Sequence, residues 1–264
     1  NRDNNILVTA VTETVITGAT LNASVLIAEG PIAASTITVM GKKCIAPITG
    51  QTADYWTVEE FQSDITKSEL FTDTVFGSAD VAIPASGNVT VGFNAVALNR
   101  TSGAAQVLTT PTAETTTSVV AGIKGLVRVG GVTVANVTGA KIKIDGKVAA
   151  MDGVLGSNAS PDVVRGILSV SGDVTAYYQD AVMSGYFDAA TPISLILVEA
   201  VDGTNNSDFH TFVMSKVVLS GDDKDSGAKG IIRTYPFIAE INGAGGAALA
   251  NDKTILSLQD SQAA

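Results

Sequence analysis

Phe212-Val213-Met214-Ser215-Lys216-Val217-Val218-Leu219, followed by Ser220-Gly221-Asp222-Asp223-Lys224-Asp225-Ser226-Gly227 and then Ile231-Ile232-Arg233-Thr234-Tyr235-Pro236-Phe237-Ile238-Ala239-Glu240-Ile241, is the stretch that decides the fold. Two apolar runs rich in β-branched residues flank a tip of turn formers. That order predicts two strands of a β-hairpin. An earlier stretch has the same plan: Val75 to Ile83, then Pro84-Ala85-Ser86-Gly87, then Asn88 to Leu98. Two copies of one hairpin predict two copies of one domain, with residues 1–112 as the first, 113–118 as a linker and 119–264 as the second. The linker reading rests on Thr109-Thr110-Pro111-Thr112-Ala113-Glu114-Thr115-Thr116-Thr117-Ser118, which has no large apolar residue.

Length and composition agree with a folded β protein. The chain has 264 residues, room for one large or two modest domains at ~100–200 residues each. Hydrophobic residues make up 45% and charged residues 16%, which excludes a disordered chain. Aromatics are only 5%, and Ala, Val, Thr, Gly and Ser carry the bulk. Such residues suit thin β layers. The net charge of −10 and the absence of a dense basic cluster argue against a polyanion-binding site. The most basic run, Lys141-Ile142-Lys143-Ile144-Asp145-Gly146-Lys147, alternates as an exposed strand face does.

Along the chain, strands are expected at Ile6–Thr17, Ser35–Met40, Ala140–Ile144, Val148–Val154, Ile167–Tyr177, Leu195–Val201 and Lys253–Leu258. A short helix is expected at Asp64–Phe71. A better one is expected at Tyr178–Phe187, where Tyr178, Val182 and Tyr186 fall four apart on one face that should point inward. Many short strands, one or two short helices and Gly-rich turns predict an all-β sandwich with a helix packed outside.

The search for chemistry returns no site. His210 is the only histidine, and no G-x-S-x-G turn accompanies it, so it reads as a partly exposed strand residue. Cys44 is the only cysteine, which excludes an intrachain disulfide and a Cys-based zinc site, and it reads as a small buried hydrophobe. Asp222 to Gly227 lacks calcium-loop spacing, since Thr234 stands where a closing Glu belongs. Glu59, Glu60 and Asp64 show no sign of sharing a cleft. No catalytic residue, cofactor or metal is expected. No apolar run approaches the ~20 residues of a membrane helix, and the polar start, Asn1-Arg2-Asp3-Asn4-Asn5, does not read as a signal peptide.

The run Trp56-Thr57-Val58-Glu59-Glu60-Phe61-Gln62-Ser63-Asp64-Ile65-Thr66-Lys67-Ser68-Glu69-Leu70-Phe71-Thr72, followed by Ile83-Pro84-Ala85-Ser86-Gly87 and Phe93, resembles the tail tube (major tail) proteins of long non-contractile-tailed bacteriophages, the siphophages. The likeness is to the form with two tube domains per chain. Val170-Ser171-Gly172-Asp173-Val174, Tyr178-Gln179-Asp180 and a last hairpin ending near Pro236-Phe237 extend it, so that residues 55 to 260 are covered. The resemblance implies two tandem tail-tube β-sandwich domains whose strands join those of neighbours into a barrel around a lumen. It implies three chains per pseudo-six-fold ring, and stacked rings around a tape-measure protein. It also implies tail terminator and tail-tip partners, and phage DNA passing through the lumen without specific binding. The place would be the virion, after assembly in the bacterial host cytoplasm. The alternative is a monomeric Ig-like binding module, such as an adhesin or phage decoration domain.

Strand alternation then assigns faces. Val89, Val91, Phe93 and Ala95 should face the sandwich core with Val81 and Ile83, and Thr90, Gly92 and Asn94 should face the channel with Ser78 and Asp80. Lys216 and Arg233 should pair with nearby acids, so that the lumen stays net negative.

Overall fold

Ile193-Ser194-Leu195-Ile196-Leu197-Val198 is apolar on both alternations, and such a run needs cover on both faces. The computed structural model places it at the centre of the molecule. It describes residues 5–11, 15–21, 39–46, 54–110, 118–156, 160–204, 206–225, 230–243 and 253–262. The strands are β1 (Ile6–Val11), β2 (Ile16–Thr20), β3 (Lys42–Ile45), β4 (Trp56–Gln62), β5 (Lys67–Pro84), β6 (Thr90–Val96), β7 (Asn99–Gly103), β8 (Leu126–Val129) and β9 (Val132–Val134). They continue with β10 (Val137–Asp145), β11 (Ala149–Ala150), β12 (Val163–Val164) and β13 (Ser169–Tyr177), then helix α1 (Val182–Asp188), then β14 (Ile193–Ala200), β15 (Phe209–Leu219), β16 (Asp223–Asp225), β17 (Ile232–Ala239) and β18 (Ser257–Asp260). The protein is all-β with one short α-helix among the described residues.

Two antiparallel sheets enclose one core. The first runs β6-β5-β10-β13-β17, and the second β3-β18-β15-β14-β8-β9. Strand β15 belongs to both. Its Phe209–Val217 length pairs with β14, while Val217–Leu219 pairs with Phe237–Ala239 of β17. Val81, Ile83, Ala140, Ile142, Val170, Val174, Tyr235 and Phe237 point from the first sheet into the cluster. Val129, Leu195, Leu197, Phe212 and Met214 meet them from the second. Each such side chain contributes about 1.5–3 kcal/mol by burial. The other face of β14 carries Ile196 and Val198. With Phe209 they are covered by Leu7 and Leu21, which flank or lie on the β1–β2 hairpin. Asn5 Nδ2 fixes that hairpin by donating to the Ser207 carbonyl at 2.7 Å.

Several expectations change here. The Asp64–Phe71 helix is instead the turn after β4, through Thr66, and the start of β5, because Lys67–Phe71 is hydrogen-bonded to β4 and runs beside β7, and these ladders override weak local helix preference. Ile6–Thr17 is not one strand but the two of the β1–β2 hairpin. Most of the 113–118 linker, and Ser35–Thr38 of an expected strand, lie outside the described residues. The two hairpins occupy different places. Val75–Ala82 pairs directly with β6 at a sheet edge, whereas β15 meets β17 over three residues at the junction of the sheets. Strand β5 also pairs with β10, so strands from both halves of the chain share one sheet and one core.

Helix α1 begins later than expected, and of the three residues expected to face inward Tyr186 does so, with Met183 and Phe187 beside it, while Val182 does not. Met183, Tyr186 and Phe187 pack on the core, while Val182 is 55% exposed. Tyr178 precedes the helix and lies under the Arg233 guanidinium, 4.2 Å from its ring centre. Asp180 accepts a hydrogen bond from the Val182 amide at 3.0 Å, at the positive end of the helix. Val182→Asp should therefore leave the thermal midpoint within about 0.5 kcal/mol of the parent. Met183→Asp should lower it sharply, since it forces a carboxylate against the core. Thermal melts of the two variants check this, and a large loss from Val182→Asp would show that the face is misplaced.

Candidate assembly surface

The β1–β2 hairpin clads the outer face of the second sheet, but among the described residues nothing clads the outer face of the first. Its residues are set by register. Ser78 pairs with Asn94, Asp80 with Gly92 and Ala82 with Thr90 across β5 and β6. On the other side of β5, Asp80 stands opposite Lys143 and Ser78 opposite Asp145. Lys141 faces Asp173 across β10 and β13, and Thr175 faces Thr234 across β13 and β17. Directly opposed antiparallel residues share a face. Ser78, Asp80, Thr90 and Asn94, the expected channel residues, therefore lie together on one polar face. Side-chain geometry agrees, with Asn94 Nδ2 donating to Ser78 Oγ at 2.9 Å and reaching Asp80 Oδ2 at 3.5 Å. The Thr175 and Thr234 hydroxyls are 3.1 Å apart.

Charge on this face is mixed but acidic in sum. Asp80, Asp145, Asp173, Asp223 and Asp225 stand against Lys141 and Lys143. Lys216 is paired with Glu240 at 2.6 Å, and Arg233 with Asp222. Both cations named from the sequence thus have acidic partners. Arg233 also donates to Ser184 Oγ at 3.2 Å, tying the helix to β17.

The opposite side of β6 departs from expectation. Val81 and Ile83 are buried, but Val91 is 46% exposed and Phe93 65% exposed. Both lie on the core side of the sheet. They overhang the second sheet and have no cover from it. Phe93 meets Phe76 edge-on at 6.0 Å, and Phe76 meets Trp56 at 6.5 Å, so an exposed aromatic row runs from β6 to β4. Alternation placed these residues on the core side, but gave no sign that the core stops short of them.

Other residues of interest have structural roles. Glu59 is bonded within the sheet formed by β4, β5 and β7. Its carboxylate accepts from Ser68 Oγ and from the Val107 and Leu108 amides, each 2.7 Å away. The Ser68 and Val107 bonds hold its carboxyl below the usual range. His210 is half-exposed on β15, 3.9 Å from Asp260. Cys44 is exposed and not buried as expected, because among the described residues β3 pairs only with β18 and all four of its residues face solvent. Among the described residues no cluster of His, Cys, Asp or Glu could hold a metal, and no helix is long and apolar enough to cross a membrane.

Among the described residues the sandwich thus has one clad face, one bare polar face and an unclad aromatic edge. The chain belongs to the phage tail tube protein family, whose sequence model matches residues 7–239. No curated protein matches it. The family is a structural one of the virion, whose members assemble into a tube with other tail components.

Proposed function

We propose that the chain self-assembles into stacked rings whose lumen is the channel for genome delivery, with the polar face of the first sheet lining that lumen. The observation that carries this reading is the bare face bearing Ser78, Asp80, Thr90 and Asn94, acidic in sum and continuous across β6, β5, β10, β13 and β17. Passing DNA is repelled weakly by such a wall and held nowhere. Its Thr and Ser hydroxyls supply short polar contacts without fixed positive charge. Ring size follows from the number of wall units per chain. Two tandem units give three chains per pseudo-six-fold ring, and one unit gives six. The single core shared by both halves of the chain favours six. A tape-measure protein fills the lumen before ejection, and terminator and tip proteins close its ends. The reading includes no catalytic role.

Asp80→Lys tests the face. Asp80 is exposed and outside the core, so the variant should form tubes in normal yield. Particles carrying it should eject DNA more slowly, most clearly at low salt, where the added charge is least screened. Failure to assemble, with normal ejection from residual particles, would place Asp80 in a subunit contact and overturn this assignment.

A further inference from the structure

We infer that Glu199 works a proton-sensitive latch. With its carboxyl protonated, the 119–125 segment stays seated between β14 and the 85–89 turn that joins β5 to β6. Ionisation unseats the segment and frees that turn. The device lies within one chain and is independent of ring formation. Alternation puts Glu199 on the side of β14 that carries Leu195 and Leu197, at the end of the core. It is 1% exposed, and its Oε2 has no hydrogen-bond partner. A carboxyl so placed is tolerated neutral and is costly ionised.

The charged groups nearby do not offset that cost. Lys124 Nζ reaches towards Gly203, 3.8 Å from where a Cβ there would stand, and the neighbouring Asp202 accepts two hydrogen bonds from Thr204. His210 stands opposite Glu199 on β15 and has Asp260 3.9 Å away. Among the described residues no ion pair joins Lys124 or His210 to Glu199. Arg128 of β8 is paired with Ile196 and so shares the other face of that sheet. The first-sheet residues at this end, Ile83 and Pro84, carry no charge. Burial accordingly lifts the carboxyl from its ordinary 4.5 to about 8.

The segment over Glu199 is seated by close backbone approach at two glycines. A Cβ on Gly125 would stand 2.6 Å from Glu199 Oε2 and 2.6 Å from the Val198 carbonyl oxygen, and one on Gly122 would fall far inside contact of the Pro84 carbonyl oxygen. Between them Gly122–Lys124 forms a single 3-10 turn. The Lys124 amide donates to the Ala121 carbonyl at 3.1 Å and the Gly125 amide to the Gly122 carbonyl at 3.3 Å, so the turn moves as one piece. Its other end holds the 85–89 turn. The Gly122 amide donates to the Gly87 carbonyl at 3.2 Å, the Val89 amide donates to the Val120 carbonyl at 2.9 Å, and Asn88 is bridged to Ala121. The 3-10 turn buries no side chain, and Val119 and Ile123 are 63% and 71% exposed. Little apolar contact resists its leaving, which puts it at the low-stability end of the fold. Thr90 begins β6 directly after Val89, so unseating loosens that end of the polar sheet.

Unseated, the carboxyl meets water and titrates near its ordinary value. Seated, it titrates higher. The open form therefore gains about tenfold for each pH unit between the two values, from about pH 5 to about pH 8. Site-resolved hydrogen exchange of the full chain reads this. Parent and Glu199→Gln, which cannot ionise, are compared at equal pH, so that the base dependence of exchange itself cancels. The Val89 and Gly122 amides should exchange nearly alike in the two near pH 4.5, and the parent should gain about tenfold per pH unit towards pH 8. Low urea should leave that gain unchanged. The Val174 amide, in the middle of β13, should speed up with urea, because local opening exposes little surface and global unfolding much. Lysyl endopeptidase should cut after Lys124 faster in the parent than in the variant at pH 8. Equal exchange at Val89 and Gly122 in parent and variant across the range would overturn the latch. So would a gain that tracks urea as Val174 does, or equal cutting after Lys124.

Discussion

Gly172→Val is expected to remove about 4 kcal/mol or more of folding free energy, a large share of the ~5–15 kcal/mol typical of a domain. Gly172 lies in the middle of β13, paired with Ile142 on one side and Phe237 on the other. The Phe237 ring, 1% exposed, lies over it in the core. A Cβ at this position would stand 2.8 Å from Phe237 Cζ and far inside contact of the Lys141 carbonyl oxygen. The ring could move only into a filled core, and the carbonyl belongs to the ladder between β10 and β13. Backbone and side chain thus both resist relief. Urea unfolding of the purified variant reads the loss, and a midpoint like that of the parent would show that the β13–β17 packing is not as described.

The second large effect concerns Glu199. It ends the run Ile193 to Val198 on β14, is 1% exposed, and its Oε2 has no hydrogen-bond partner. That oxygen lies only 2.6 Å from where a Cβ on Gly125 would stand, so the carboxyl is pressed against the backbone of the 122–125 turn. His210 lies opposite it across the strand pair, but no ion pair joins them among the described residues. Burial pushes the carboxyl from its ordinary 4.5 up to about 8. The folded protein therefore holds a proton that the unfolded chain releases above about pH 4.5. Stability from this group is fully present below that pH and is lost as pH rises towards 8. The slope is about 1.4 kcal/mol per pH unit and the total on the order of 4 kcal/mol. Glu199→Gln should match the parent near pH 4.5, exceed it by a few kcal/mol at pH 8, and flatten the curve between. Chemical denaturation across that range measures it. Parallel curves for parent and variant would show that Glu199 is hydrated or paired.

These two sites mark how far the sequence could be read. Alternation in Lys141-Ile142-Lys143 marked an exposed strand face, and Lys141 and Lys143 are exposed while Ile142 is buried, because that strand has the core on one side and the bare face on the other. The same reasoning failed for Val91 and Phe93, since alternation reports which side of a sheet a residue takes and not how far the opposing layer extends. It failed for Val182 because the helix starts there, four residues after Tyr178, so the inward stripe runs through Met183, Tyr186 and Phe187. The bend of β15 from one sheet to the other has no local signal either, as Phe212 to Leu219 reads as one uninterrupted strand. Glu199 has no local signal of its burial, because one acid after an apolar run reads as a residue facing water, whereas it is 1% exposed.

Electron cryo-microscopy of the purified chain after assembly is the most direct measurement. It should show hollow tubes of stacked rings whose inner wall is the β6-β5-β10-β13-β17 sheet, with Asp80, Thr90 and Asn94 at the lumen surface. A monodisperse elongated monomer, or tubes with that sheet turned outward, would contradict the account.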